Sequence, residues 1–294
     1  MPARHMKRIS KNRSNNARKA KKLLDDFLNA NNKKLAVFLV RMWNDQQKAI
    51  TYKELREAIL QGYLTEEQFY AWQSDYANFL NKYLKEFLSK AATSGMESIH
   101  QIYLSGLDVY DPMTSSIENW IVEHGAEWIT NMSNQTREAV STLIQYSTKG
   151  NLSVDELSRI IRPTIGLTTP QSVANAKYYE TVKATLLKNN PTMRSATAEK
   201  KARDAAAKYA AKQHRERAQM IAETELAFAY NKGADDAIKQ AQDEGLLPEM
   251  NSVWTSAGDD GDSFNFPGKS LYTGQKRTPP AHPRCRCVLC YEEA

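Results

Sequence analysis

Apolar positions follow a helical period through most of this chain. Phe69, Trp72, Tyr76, Phe79, Leu80, Tyr83, Leu84, Phe87 and Leu88 fall on one face of a 3.6-residue repeat, the pattern of a long amphipathic helix with an aromatic stripe. The ends of helices are marked too. Thr51-Tyr-Lys-Glu54 is a capping box: the Thr hydroxyl accepts from the Glu54 amide while the Glu carboxylate reaches back, and Ile50 and Leu55 flank it as a hydrophobic staple. Thr65-Glu-Glu-Gln68 repeats the device, and so does Ser153-Val-Asp-Glu156, with Leu152 and Leu157 as its staple. Ser115-Ser-Ile-Glu118 opens a helix carrying Trp120, Ile121 and Trp128, and a further helix is predicted from about Asn134 to Ser147, ending before Lys149-Gly150. Arg162-Pro163 closes the helix that begins after Ser153, and Thr169-Pro170 reads as N-cap and N1 of the next.

Residues 196–243 are rich in Ala, Lys, Glu and Gln, with Gly233 inside the stretch, and predict one long helix or two in succession, ended by Gly245 and Pro248. The texture then changes. Residues 251–294 are rich in Gly, Pro, Asp, Ser and Thr, and only Val253-Trp254-Thr255 and Val288-Leu289 look like strand. The expected fold class is mainly α: a multi-helix body with long amphipathic helices and a small, irregular C-terminal cap containing a short β-hairpin. Four segments follow: a basic N-terminal arm (1–24), a helical N-terminal region (25–115), a helical core (116–245) and the Gly/Pro-rich cap (246–294).

Charge adds a second pattern. The net charge is +6 over 294 residues. Residues 1–22 hold Arg4, Lys7, Arg8, Lys11, Arg13, Arg18, Lys19, Lys21 and Lys22 and no acid, a charge of +9. Residues 194–217, which include Lys200, Lys201 and Arg203, carry +5, so the remainder carries −8. A basic arm and a basic helix on a mildly acidic body suit a polyanion, because each neutralised phosphate releases counterions; a solvated charged face is the competing reading. The most apolar run, Leu35 to Val40, is six residues long and is followed by Arg41, far short of the roughly 20 apolar residues of a span. The basic N-terminus has no apolar stretch behind it, so no secretory signal is expected. Three cysteines confined to residues 285–290 make no disulfide framework and point to a reducing compartment such as a cytoplasm.

Common catalytic fingerprints are absent: no G-x-G-x-x-G, P-loop, H-E-x-x-H or G-x-S-x-G. Asp259-Asp260-Gly261-Asp262 resembles part of a calcium loop but lacks a Glu at the twelfth position from any of its acids, and reads as a turn. His5, His100, His124 and His214 are dispersed. The cluster His282, Cys285, Cys287 and Cys290 offers one imidazole and three thiols, a permissible zinc set. Four ligands within nine residues demand a tightly wrapped backbone, however, and no second pair of cysteines lies upstream. The favoured alternative is structural: small Cys side chains packed inside the cap while Arg284 and Arg286 reach neighbouring carboxylates or carbonyls.

The stretch Pro279-Pro-Ala-His-Pro-Arg-Cys-Arg-Cys287 resembles the terminal signature of the phage head morphogenesis family, the MuF-type minor head proteins of Mu-like and SPP1-like tailed phages. The family's C-terminal domain reads as a helix with an I-A-R-T-E-x-x-x-A-x-N-x-G core, a Trp-containing strand, an Asp-rich turn, and P-P-x-H-P-x-C-R-C. Here Ile221-Ala-Glu-Thr224-Glu225 is followed by Ala229, Asn231, Gly233, Trp254, Asp259-Asp260, His282-Pro283, Cys285, Arg286 and Cys287 in the same order. Gly150-Asn-Leu-Ser-Val-Asp-Glu-Leu157 and Ile165-Gly-Leu-Thr-Thr-Pro-Gln171 also resemble segments that precede the signature, so the likeness covers about residues 116–290. Glu223 stands where the family usually has Arg, and the turn after Trp254 lacks the His or Cys pair of many members.

The resemblance implies a non-enzymatic minor capsid protein, located inside the virion head near the portal and in the host cytoplasm during assembly. Its partners would be the portal protein, the major capsid or scaffolding protein and double-stranded DNA bound without sequence preference; no membrane and no cofactor are expected. The basic segments would touch DNA, and Glu225 and Asn231 are expected to hydrogen-bond the Arg286 region of the cap. The alternatives are a zinc-stabilised, non-specific nucleic-acid-binding protein and, further off, a toxin-type enzyme of the kind sometimes fused to this domain, for which no sequence follows Ala294 and no nucleotide-binding loop is found.

Overall fold

The computed structural model describes residues 3–105, 115–147, 152–255 and 279–294, with side chains for 15–71, 83–105, 116–146, 152–255 and 279–294. The chain is mainly α. In order, the elements are α1 (Ala3–Ala49), α2 (Tyr52–Gln61), α3 (Glu66–Tyr103), α4 (Ser115–Ser147), α5 (Val154–Ile161), a 3₁₀ turn (Arg162–Thr164), α6 (Thr169–Asn189), α7 (Ser195–Asp243), β1 (Met250–Thr255) and β2 (Val288–Glu293). The predicted strand-like pieces pair antiparallel, with Trp254 opposite Leu289 and Val253 opposite Cys290. The 32-residue stretch 256–287 separates the two strands, so the pair is not a tight hairpin.

The capping signals act as written. Thr51 and Glu54 form their reciprocal box at α2, as do Ser153 and Glu156 at α5. At α3, Thr65 N–H donates to Gln68 Oε1 and Gln68 N–H to Thr65 Oγ1, each at 3.2 Å. Two expectations need correction. The N-cap of α6 is Thr168 rather than Thr169, because the Thr168 N–H reaches Gln171 Oε1 at 3.1 Å, and Pro170 therefore sits at N2. The helix expected to begin near Asn134 is the second half of α4. Nothing between Trp128 and Asn134 breaks a helix, and the hydroxyls of Thr130 and Thr136 satisfy themselves on the carbonyls four residues back, Ala126 O and Met132 O. Residues 195–243 form one helix, not two. The side chains of Trp72, Tyr76, Phe79 and Leu80, the Lys149-Gly150 stop and the Asp259–Asp262 turn lie outside the described residues; Phe69, Leu84 and Leu88 of the same stripe are buried.

Two compact units make up the chain, one from Met1–Ala36, Tyr83–Gly125 and Gln219–Ala294, the other from Val37–Lys82 and Ala126–Ala218. In the first unit, α3 and α7 meet backbone to backbone. A Cβ built on Gly95 would stand 1.9 Å from the Tyr230 carbonyl oxygen, and one on Gly233 would stand 2.1 Å from that of Ala92. Each glycine is thus the gap into which the other helix fits, and Tyr230, buried beside this crossing, meets Phe27 with ring centroids 5.6 Å apart.

The second unit has a core of Ile50, Leu55, Ile59, Leu143, Leu157, Ile161 and Tyr179, with the small residues Ala202 and Ala206 of α7 against it. Inside this unit Gly166 takes φ +89°, and a Cβ there would lie 2.4 Å from Trp43 Cγ. Trp43 also takes the guanidinium of Arg217 at 5.6 Å and the ring of His214 at 5.5 Å. His214 Nε2 bonds the Ile165 carbonyl oxygen at 2.8 Å, and burial lowers its pKa. Arg217, counted by sequence among the basic residues of the α7 segment, is 5% exposed and belongs to this core.

Candidate nucleic-acid interface

The C-terminal cap is held on α7 by the residues that carry the sequence signature. Thr224, fully buried, donates to Met220 O at 2.7 Å and accepts the Arg284 N–H at 2.9 Å. Asn231, also fully buried, spends both ends of its amide. Its Nδ2 donates to Ala227 O at 2.9 Å and Cys287 O at 3.2 Å, while its Oδ1 accepts the Leu289 N–H at 3.2 Å. An amide that clamps a carbonyl and an N–H two residues apart fixes the register of β2 on the helix. Asn231 therefore bonds the Arg286 region as expected. The Glu225 carboxylate, 2% exposed, meets His124 Nε2 at 2.7 Å, beneath a Trp120 ring stacked on His124 with centroids 4.8 Å apart. The acid that takes Arg286 is Glu223, at 2.8 Å, and the same guanidinium reaches Asn29 at 3.2 Å and Asp25 at 3.6 Å. Glu223 also receives Asn32 Nδ2 at 3.3 Å. Asn231→Ala is expected to cost about 2 kcal/mol, since it strands a buried carbonyl and a buried N–H together; a urea midpoint equal to wild type refutes the clamp.

Trp254, Ala281, Cys285 and Cys287 form a small core within the cap. The hydrogen bond from Cys287, against the opposing effect of burial, holds the Cys285 thiol down to about 6. With only 1% of Cys285 exposed, that lowered pKa comes without the access a reactive thiol requires. Of the candidate zinc ligands, Cys290 Sγ lies 3.2 Å from Thr255 Oγ1 in the strand pair, and His282 Nδ1 bonds the Pro283 carbonyl oxygen at 2.9 Å. Among the described residues no group of three or more His, Cys, Asp or Glu is placed to hold a metal ion.

The basic residues divide by what they touch. Side chains of Arg4, Lys7, Arg8, Lys11 and Arg13 lie outside the described residues, though residues 3–24 are helical and continuous with the rest of α1. Lys19 donates to Gln101 O at 2.6 Å, Lys21 pairs with Asp25, and Arg18 donates to Asn15 Oδ1 at 3.2 Å. Lys22 is exposed. On α7, Lys200 and Lys201 are exposed and Arg203 is half-buried, close enough to Tyr179 to bear on its hydroxyl.

Lys201 belongs to a built surface. With Asp204, Lys208, Tyr209 and Lys212 it forms one stripe of α7, and Tyr178 of α6 completes an open cleft of about 430 Å³. The stripe arises because Ala198, Ala202, Ala206 and Ala210 turn the small side of α7 to the core. Close approach lets Asn175 Nδ2 of α6 reach the Ala206 carbonyl oxygen at 3.0 Å. The same packing sets the Tyr178 and Tyr209 rings 4.9 Å apart at 46°. Lys201 and Lys208 form no ion pair among the described residues, and Lys212 has a loose one, 3.7 Å to Glu216. The Lys row was legible in the sequence; Tyr178, on another helix, and Lys208 and Lys212 as cleft residues were not singled out. No protein-family model, curated protein or solved structure matches the chain.

Proposed function

We propose that this chain is a minor head protein of a tailed phage, acting without enzymatic activity alongside the portal and the capsid or scaffolding protein and contacting packaged duplex DNA without sequence preference. The observation that carries the reading is the docking of the cap. Thr224, Asn231, Gly233, Trp254, Cys285, Arg286 and Cys287, seven of the positions on which the resemblance rests, clamp cap to helix, form the cap's core or make the α3–α7 crossing. The charge pattern supplies the polyanion side of the reading: +9 in residues 1–22 and an exposed lysine stripe on α7.

Mass spectrometry of purified phage particles and procapsids tests the assignment directly. The chain is expected in both or in one of them, and its absence from both overturns the proposal. DNA contact is tested by the salt dependence of duplex binding. Replacing Arg4, Lys7, Arg8, Lys11 and Arg13 by Gln is expected to make the slope of log K against log salt shallower by up to about 4.5, at roughly 0.9 per phosphate released. An unchanged slope removes the N-terminal segment from the DNA contact.

A further inference from the structure

We infer that the α6–α7 cleft is a binding site for an unpaired nucleic-acid strand, in which a base stacks on the Tyr178–Tyr209 pair while Lys201, Lys208 and Lys212 hold the flanking phosphates. This rests on the reading that the lysine face of α7 meets nucleic acid, and adds to it a kind of strand and a mode of contact.

Three observations converge. First, the lysines are ordered along the helix. Lys208 and Lys212 are one turn apart, about 6 Å of rise, and Lys201 lies two turns before Lys208, about 10.5 Å. This is a row that follows a backbone rather than a cluster that grips one anion. Second, the cleft offers a π surface that duplex DNA has no use for. Tyr178 is 41% exposed although the opposite side of α6 is buried, and its ring is backed by Tyr209 at 4.9 Å. Phosphate contacts need no aromatic ring, whereas bases freed from a duplex stack on one regardless of sequence, each worth about 1–3 kcal/mol. Third, Asp204 stands between Lys201 and Lys208. A carboxylate there repels a phosphate but accepts from the N–H groups of a base edge, so the base is directed to the gap between Lys201 and Lys208 and the phosphates to the lysines. The cleft volume, about 430 Å³, lies in the range of a pocket for one small ligand, here a single nucleotide of the strand.

The test uses the full-length protein, a fluorescein-labelled dT20 strand and a blunt 20-bp duplex, followed by anisotropy at fixed salt. Tyr178→Leu keeps an apolar side chain at a surface position and is expected to weaken dT20 binding about tenfold while changing duplex binding less than twofold. Lys208→Gln is expected to weaken both. Ultraviolet cross-linking of a strand carrying 5-iododeoxyuridine is expected to mark the peptide containing Tyr178 or Tyr209. If dT20 and duplex binding both survive Tyr178→Leu unchanged and cross-links fall elsewhere, the cleft inference is overturned and non-specific DNA contact stands. If the wild-type protein binds neither probe, both readings fail together.

Discussion

Gly233→Ala is expected to destabilise the protein by more than about 3 kcal/mol, and Gly95→Ala by a similar amount, read as a fall of roughly 6–12 °C in melting temperature. The reason is the nature of what the new methyl would meet. At Gly95 it would lie 1.9 Å from the Tyr230 carbonyl oxygen, and at Gly233 2.1 Å from the Ala92 carbonyl oxygen. Neither obstacle is a side chain that could turn aside. Both helices would have to separate along their length, giving up contacts around the buried Ala91, Ala92, Met96 and Tyr230. Ordinary overpacking of a core costs about 1–3 kcal/mol, and this case exceeds it because backbone must move. Gly125→Ala in α4 is the control. The nearest heavy atom to its added Cβ, Leu84 Cδ2, is 3.9 Å away, so the gain in helix propensity should show as about 0.5–1 kcal/mol of extra stability. Wild-type melting of Gly95→Ala would disprove the backbone contact.

A second large effect concerns acid. Glu156 is the N3 partner of the Ser153 cap of α5 and also a buried anion. Its Oε2 takes the Ser153 N–H at 3.1 Å, and its Oε1 takes Tyr179 OH at 2.8 Å and Lys183 Nζ at 2.6 Å. Lys183 in turn reaches Glu199 at 3.2 Å. Burial works against the Glu156 charge, but the bonds from Lys183, Tyr179 and Ser153 together outweigh it and hold the carboxyl at about 2, against 4.5 ordinarily. A group whose pKa falls on folding stabilises the native state above its unfolded value and loses that contribution as pH drops through its folded value. The shift corresponds to about 3 kcal/mol at neutral pH, disappearing between about pH 4.5 and pH 2. Glu156→Gln should remove most of it at pH 7 and flatten the urea-midpoint profile across that acid window. A mutant profile as steep as wild type would show that other carboxylates set the acid limit.

The parts of this fold that could be read from sequence are those decided within one helical turn. Thr51 with Glu54, Thr65 with Gln68 and Ser153 with Glu156 satisfy each other three residues apart, so their pairing needs no tertiary knowledge. The shift from Thr169 to Thr168 shows the limit of that logic: two adjacent threonines offer the same hydroxyl, and Gln171 decides between them. Long-range partners were beyond reach. Glu225 and Glu223 are two residues apart and chemically identical, yet one lies against His124 and the other against Arg286, because two steps along a helix turn a side chain by about 200°, to the opposite side. Arg217 reads as one more surface cation until Trp43, far away in sequence, supplies a ring for it to cover. The cleft was half visible for the same reason: a lysine period is local, while the ring that completes it comes from a different helix.

The way the two units divide the chain has a consequence in time. Every residue of the second unit lies between Val37 and Ala218, whereas the first needs the stretch from Gln219 onward, including the Arg286 that reaches back to Asn29. On the ribosome the second unit has its full complement of residues while the first still lacks α7's latter half and the cap. Until those emerge, the faces of α1 and α3 that bear Leu24, Leu28, Ala92 and Met96 have no permanent cover. A released chain ending at Ala218 should therefore present a protease-resistant second unit and a susceptible first one.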